Sequence, residues 1–470
     1  MQKNVLAFDL GASSGRAVLG QYKDGSLKTE EIHRFSNGPV NTEGTLYWDL
    51  DALFSEIIVA LNKATEKCRV DSLGFDTWGV DFGLMNQKGD IIQNPVSYRD
   101  SRTAGMMDFV SQNYLSEKDL FERTGNQLME INTLFQLIAL REQQPDLLAG
   151  TLKIMNIPDL FNYLLTGEIR SEISIASTTQ MLNPLTKEWD KDLLEQVDLP
   201  LEILPALTSE GEVLGKVKEI YANQEQTIKV MNVCEHDTAS AVVSVPALEQ
   251  DFIFISCGTW SLVGTEISEP ILSEDTFKYN LTNEIGQGGT IQLLKNCTGL
   301  WIIQELKREF AERGHEYSFP EIAETAAAAE PFRTFIDTED PRFALPGDMI
   351  EKLQKFAEET DQKVPDTAPQ LFRCVYEGLA LKYKETIDQI TAVTGKVYQT
   401  VYIVGGGCKA DILCQMVADA TGLTVSAGPA EATALGNIAI QLKAQGSFKD
   451  IKEIRNWVKE NGEIRIYQPK

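Results

Sequence analysis

The sequence predicts an α/β protein built as two lobes, on three observations. Short apolar runs alternate with amphipathic stretches of helical spacing through most of the chain. Val5-Leu6-Ala7-Phe8-Asp9-Leu10-Gly11-Ala12-Ser13-Ser14 resembles Phe252-Ile253-Phe254-Ile255-Ser256-Cys257-Gly258-Thr259-Trp260-Ser261, slightly over half the chain later. Both are an apolar strand, a small turn with glycine, then hydroxyl residues. A duplicated lobe explains the likeness, and so does the chance similarity of two buried strands. Third, 470 residues correspond to two to four domains at roughly 150 residues each. The expected division is 1–247 and 248–470, because Val245-Pro246-Ala247-Leu248-Glu249-Gln250-Asp251 interrupts a helical pattern.

Residues 5–8 and 17–19 are apolar and flank a Gly/Ser turn, which predicts a buried hairpin. Leu50, Leu53, Phe54, Ile57, Ile58 and Leu61 recur at helical spacing. Leu371, Val375, Leu379, Tyr383, Ile387 and Ile390 do the same, with Gly395 as the stop. Val401 to Val404 reads as a buried strand. Three glycines follow, then a helix capped by Asp411. Ala326 to Ala329 reads as exposed helix.

Lys and Arg number 43 and Asp and Glu 69, a formal net charge of −26. Such a field argues against nucleic-acid partners and anionic membranes. The first apolar stretch is too short for a signal-peptide core, and no run suggests a membrane span. The seven cysteines are scattered without a C-x-x-C pair. They read as reduced thiols of a cytoplasmic protein. Three histidines exclude a His-rich metal site.

Five segments carry candidate chemistry. Asp9-Leu10-Gly11-Ala12-Ser13-Ser14-Gly15-Arg16 is a turn of small residues whose amides and hydroxyls suit phosphate oxygens. Asp9 there suits a hydrated Mg²⁺; a plain hairpin turn is the alternative. Gly258-Thr259-Trp260-Ser261 is a second such turn. Gly405-Gly406-Gly407-Cys408-Lys409-Ala410 formally matches a dinucleotide fingerprint. The strand after it, Leu423-Thr424-Val425-Ser426, lacks the ribose-binding acid, so a bare surface for a flat purine fits better. In Asn232-Val233-Cys234-Glu235-His236-Asp237-Thr238-Ala239-Ser240, Asp237 suits a proton acceptor or a helix cap. His236 suits a substrate hydroxyl or a packed loop. Gly74-Phe75-Asp76-Thr77-Trp78-Gly79-Val80-Asp81-Phe82-Gly83 mixes acids with an indole, as sugar sites do; a strand and turn with a buried Trp is the alternative.

Together these segments resemble the FGGY family of carbohydrate kinases over nearly the whole length. The Asp9, Gly258 and Gly405 turns match the family's two phosphate loops and adenosine loop in order. Asn94-Pro95-Val96-Ser97-Tyr98-Arg99-Asp100-Ser101-Arg102 and Glu431-Ala432-Thr433-Ala434-Leu435-Gly436 match further segments. The Asp76–Gly83 run, Tyr98–Thr103, Glu235–Thr238 and Asn296-Cys297-Thr298-Gly299-Leu300-Trp301 resemble the branch that acts on L-rhamnulose. The resemblance implies two ribonuclease H-like lobes with a nucleotide cleft between them. It implies transfer of the γ-phosphoryl of ATP to the 1-hydroxyl of L-rhamnulose, with Mg²⁺. Asp237 matches the proton acceptor. Gly83, His236, Asp237, Thr238 and Asn296 match sugar contacts. Ala12, Ser13, Ser14, Gly15, Arg16, Thr259, Gln304 and Gly405 match nucleotide contacts. Asp9 is the candidate metal ligand. A kinase for another ketose, such as L-fuculose or D-xylulose, and a sugar-independent ATPase switch stay open as alternatives.

Overall fold

The computed structural model describes residues 2–221 and 226–470, which form two compact α/β units. The first comprises Met1–Ser244, Ile267–Gln292 and Thr433–Ile454; the second comprises Val245–Glu266, Leu293–Ala432 and Arg455–Lys470.

In the first unit the expected hairpin is present as β1 (Lys3–Leu10) and β2 (Ser14–Lys23), extended by β3 (Ser26–Ser36). Val5, Leu6, Ala7, Phe8 and Leu10 are all fully buried, so β1 reads as a continuous apolar run rather than an alternation. The predicted helix spans α1 (Leu50–Lys67); Asp49 caps it by accepting from the Ala52 amide at 3.0 Å. Leu50, Leu53, Ile57 and Leu61 form its buried face. Phe54 is only half-buried and meets the Tyr221 ring edge-on. The next strand, β4 (Ser72–Thr77), runs parallel to β1. A side hairpin pairs β5 (Phe82–Met85) with β6 (Lys153–Asn156), and α2 (Ile157–Thr166) follows. After β7 (Val213–Lys216) and β8 (Lys229–Met231), the sheet order is β7-β8-β4-β1-β2-β3. The helix α3 (Asp237–Val243) follows β8.

The second unit repeats the plan. Strand β9 (Ile253–Cys257) makes a hairpin with β10 (Trp260–Ile267), and β11 (Ile291–Thr298) lies beyond β10 in the sheet. Helices α4 (Trp301–Glu312) and α5 (Ala368–Thr394) follow; Gly395, at φ +64°, stops α5 as predicted. Strand β12 (Thr400–Val404) lies parallel to β9. Then come α6 (Asp411–Thr421), β13 (Thr424–Ala427) and β14 (Arg465–Tyr467); α7 (Ala432–Ala444) lies between β13 and β14 in the chain but from Thr433 belongs to the first unit.

From Thr433 onward α7 packs with the first unit because its polar stripe is spent there. Asn437 donates to Asp76 Oδ2 at 2.7 Å and to the Gly74 carbonyl at 3.1 Å. Gln441 donates to the Leu6 carbonyl and accepts from Ser72. Gly20 and Gly436 make room for this packing: a Cβ on Gly20 would lie 2.7 Å from Ile438 Cγ2, and one on Gly436 would lie 1.8 Å from the Ser240 carbonyl oxygen.

Two local expectations are corrected. Ala410, not Asp411, holds the N-cap of α6. The Asp411 carboxylate is drawn away to Arg465 and the Tyr467 hydroxyl. The helix reaching Ala326 ends at Ala327, and Ala326 is buried rather than exposed. None of the seven cysteines is in a disulfide, and six of them are buried. Among the described residues no helix is long and apolar enough to cross a membrane.

Candidate active site

The chemistry of the first unit gathers at the ends of its central strands. Parallel and antiparallel pairing set Asp9 beside both Asp76 and Arg16 in register. Arg16 donates to Asp9 Oδ2 from Nε at 2.9 Å and from Nη2 at 2.5 Å. Asp76 is fully buried; Asn437 serves its Oδ2, and its Oδ1 has no hydrogen-bond partner. Burial, then the negative charge of Asp9, pushes the Asp76 carboxyl well above its ordinary range; Asp237 adds to this and Asn437 opposes it. Three carboxyls therefore share one charged neighbourhood with one guanidinium.

Asp237 is the first residue of α3. The N-cap position belongs to His236, whose side chain makes no cap bond, so the reading of Asp237 as a helix cap is set aside. Protein surrounds the Asp237 carboxyl on most sides, yet 34% of its side-chain surface stays open. Burial raises its pKa, His236 pulls it back, and Asp9 raises it further. Thr238 Oγ1 donates to Asp237 Oδ1 at 3.2 Å. His236 is buried between two acids: Nε2 lies 3.4 Å from Asp237 Oδ1, and Nδ1 lies 3.2 Å from Glu284 Oε2. The second contact is close in distance without being an aligned hydrogen bond. Burial alone lowers the His236 pKa; Glu284, then Asp237, outweigh it and leave it raised.

The Asp76–Gly83 segment divides. Trp78 is buried and stacks at a tilt on Trp48, their centroids 4.3 Å apart. Its indole is not a face for sugar; the buried-Trp reading holds. Asp81 accepts from Trp48 Nε1 at 2.6 Å, Trp78 Nε1 at 3.0 Å, the Tyr98 amide at 3.1 Å and Gln136 Nε2 at 3.2 Å. Its pKa still reaches about 6, because burial outweighs those donors. This acid ties the segment to Tyr98 and the helix bearing Gln136, with its oxygens already engaged. Gly83 is buried in β5, where a Cβ would stand 2.8 Å from Leu160 Cδ2. The missing side chain admits α2.

The turn after β1 is tight: the Gly11 amide donates to the Ser14 carbonyl at 2.9 Å, and Asn37 braces both Ser13 and Gly11. Ser13 is exposed, and Ala12, Ser14 and Arg16 are half-buried. Gly15 is buried, and a Cβ there would lie 2.3 Å from the tip of the Phe35 ring, so any larger residue would have to displace that ring.

In the second unit, Gly258 and Thr259 form the turn between β9 and β10. Their carbonyls accept from the Leu300 and Trp301 amides, so the start of α4 abuts the turn. Gln304, one turn into α4, meets the Thr259 hydroxyl at 3.3 Å. Gly405 takes φ +80°, and its missing Cβ would lie 2.9 Å from the Cys257 carbonyl. Gly406 has nothing within 4 Å of that position. The structure thus brings Thr259, Gln304 and Gly405 around the end of β9. Asn296 lies on β11 of the same unit, half-buried. Sequence reasoning missed Glu284, which carries no local signal, and undervalued Asp76, whose place at a strand end was legible.

The chain is similar to known proteins over nearly its whole length. Residues 4–244 match the N-terminal domain of the FGGY family of carbohydrate kinases, and residues 253–445 match its C-terminal domain. Rhamnulokinase of Bacillus subtilis is 41% identical, covering 99% of this chain and 95% of the relative. Rhamnulokinase of Bacteroides thetaiotaomicron is 38% identical, covering 100% and 96%. Among solved structures, gluconate kinase from Lactobacillus acidophilus superposes with a TM-score of 0.80 at 14% identity, covering 100% of this chain and 94% of that one. Plasmodium falciparum glycerol kinase with ADP gives 0.78 at 15%, with the same coverage.

Proposed function

The chain belongs to the FGGY family of carbohydrate kinases, and we propose that it transfers the γ-phosphoryl of ATP to the 1-hydroxyl of L-rhamnulose, in L-rhamnose catabolism. Support for the sugar comes from relatives named rhamnulokinase that share about two-fifths of its residues end to end. The observation that carries the mechanism is the Asp237 carboxylate: partly open, first in its helix, and facing Asp9 and His236.

Phosphoryl transfer asks for positioning more than for a strong base. Asp237 accepts the proton of the attacking hydroxyl, and its raised pKa makes it a better acceptor than a free aspartate. His236, with Glu284 close to its Nδ1, orients Asp237 and a sugar hydroxyl. Gly83, Thr238 and Asn296 complete the proposed sugar contacts. Ala12, Ser13, Ser14, Gly15 and Arg16 are the proposed nucleotide contacts of the first unit, and Thr259, Gln304 and Gly405 those of the second.

The residues present suit Mg²⁺. Arg16 occupies one Asp9 oxygen and leaves the other, and Asp76 holds a buried oxygen without a partner. Hard carboxylate oxygens, few in number, fit an ion that keeps its waters and binds phosphates. Among the described residues no group of three or more His, Cys, Asp or Glu is set to hold a metal alone. Asp9 is therefore the proposed ligand, and the ion supplies neutralisation of phosphate charge when bound. Cysteines outside any disulfide suit a reducing compartment, and the cytoplasm is the proposed location.

The test is ADP release measured across a panel of ketoses. L-Rhamnulose is expected to give the highest kcat/KM. A higher value for L-fuculose or D-xylulose would replace the sugar, and hydrolysis independent of any sugar would replace the enzyme class.

A further inference from the structure

Behind the candidate site lies a cluster of three buried acids that the mechanism does not use. Glu172 ends a short strand, Ser171–Glu172. Its Oε2 accepts from the Ser174 amide at 2.9 Å, the Ile175 amide at 3.2 Å, the Ser174 hydroxyl, and the Glu235 amide at 3.1 Å. Asp159 accepts from the Ser171 hydroxyl at 2.9 Å and the Glu172 amide at 3.0 Å. Glu235 accepts from Asn162 at 2.8 Å through Oε1, and its carboxyl lies against that of Asp159. All three are almost wholly buried.

Buried acids this close are costly unless something compensates. What they hold is the backbone that delivers Asp237. The Glu235 amide ends on Glu172, and the His236 amide donates at 3.1 Å to the Ser174 hydroxyl that Glu172 anchors. On the opposite side, the Glu235 carbonyl accepts from the Thr77 amide at 2.9 Å, next to Asp76. Residues 235 and 236 are clamped from both sides, immediately before Asp237.

We propose that Glu172 is a positioning residue: through Ser174 and the Glu235 amide its carboxyl fixes the Glu235–His236 backbone and so aims Asp237 at the sugar hydroxyl. The inference rests on the kinase reading given above. The charged groups facing Glu172 are Asp159, Glu235, Glu210 and His236. Burial pushes the Glu172 pKa up to about 8, against the pull of its hydrogen-bond donors. The clamp is therefore sensitive to pH on the alkaline side.

The experiment uses the full chain carrying Glu172→Ala or Glu172→Gln, with L-rhamnulose and ATP. Glu172→Ala is expected to lower kcat about tenfold or more while both KM values move less than about threefold, as for loss of alignment without loss of binding. Glu172→Gln keeps an acceptor oxygen, so it recovers most of that loss and shifts the alkaline limb of the kcat profile. The imidazole NMR signals, from only three histidines, give a readout independent of turnover: the His236 resonance moves in Glu172→Ala. A folded Glu172→Ala protein with unchanged kcat, pH profile and His236 resonance overturns the proposal. A wild-type chain that never needs a ketose overturns the kinase reading instead, while a moved His236 resonance still upholds the clamp.

Discussion

The two units share one backbone plan and differ in where they carry charge. In the first, β2-β1-β4-β8-β7 runs antiparallel, parallel, parallel, antiparallel. In the second, β10-β9-β12-β13-β14 runs in the same sequence of directions. The likeness between Val5–Ser14 and Phe252–Ser261 is therefore one visible piece of a duplicated sheet. The acids are not duplicated. Asp9, two residues before the turn glycine, is answered by Ser256; Asp76, in register with Asp9, by Val404 in register with Ser256. Asp237 opens α3, and Ala432 opens α7. One plan thus presents a carboxylate cluster in one unit and bare turns in the other.

The largest expected effect breaks the contrast at the helix starts. Asp237→Asn is expected to cut kcat by about 10² to 10⁴, the scale of a lost general base, with ketose binding retained. Wild-type turnover in that variant would mean that the charged unit owes its role to another acid.

The next concerns packing. The fifth residues of α3 and α7 are Ala241 and Gly436, both small. Gly436→Ala drives a methyl into the Ser240 carbonyl and is expected to cost at least about 3 kcal/mol, the upper range for overpacking. Chemical denaturation measures it; a loss below about 1 kcal/mol would show that the α3–α7 crossing can slide.

A third prediction separates the units by pH. Asp81, Asp159 and Glu172, at about 6, 7 and 8, all lie in the first unit. Their folded pKa values are raised, so the native state keeps protons that the unfolded chain has already released. Stability from these groups is greatest at acid pH and falls as pH rises from about 4 towards 8. The second unit's buried groups with raised values are thiols and phenols, such as Cys408 at about 11 and Cys297 at about 12, silent in that window. Hydrogen exchange, corrected for its intrinsic pH dependence, should show protection lost in the first unit between pH 5 and 8 and steady in the second. Equal loss in both would remove the contrast.

The smallest effect is at the second turn. A Cβ on Gly258 meets nothing closer than the Trp260 carbonyl at 3.8 Å. Gly258→Ala should change stability by about 0.5 kcal/mol or less, while raising the KM for ATP if phosphate oxygens approach that backbone. An unchanged KM would take the turn out of the nucleotide site.

Much was legible from local pattern. The hairpins, α1, α5 and its Gly395 stop follow from apolar periodicity and turn chemistry, which act over a few residues. The Asp9 and Asp237 segments stood out because acids beside small residues at element ends are chemically conspicuous. For Trp78 two readings stayed open because composition does not say which way an indole faces; Trp48, thirty residues earlier, covers it and Asp81 holds both.

The chain by itself determined its class, its repeated strands and its short list of candidate acids, because each is written in neighbouring residues. Tertiary structure alone decided that Glu284 flanks His236, that Asn437 serves Asp76 from more than three hundred residues away, and that Glu172 grips the backbone before Asp237. Such pairings depend on which strands lie side by side, and burial then sets the strength of every charge among them.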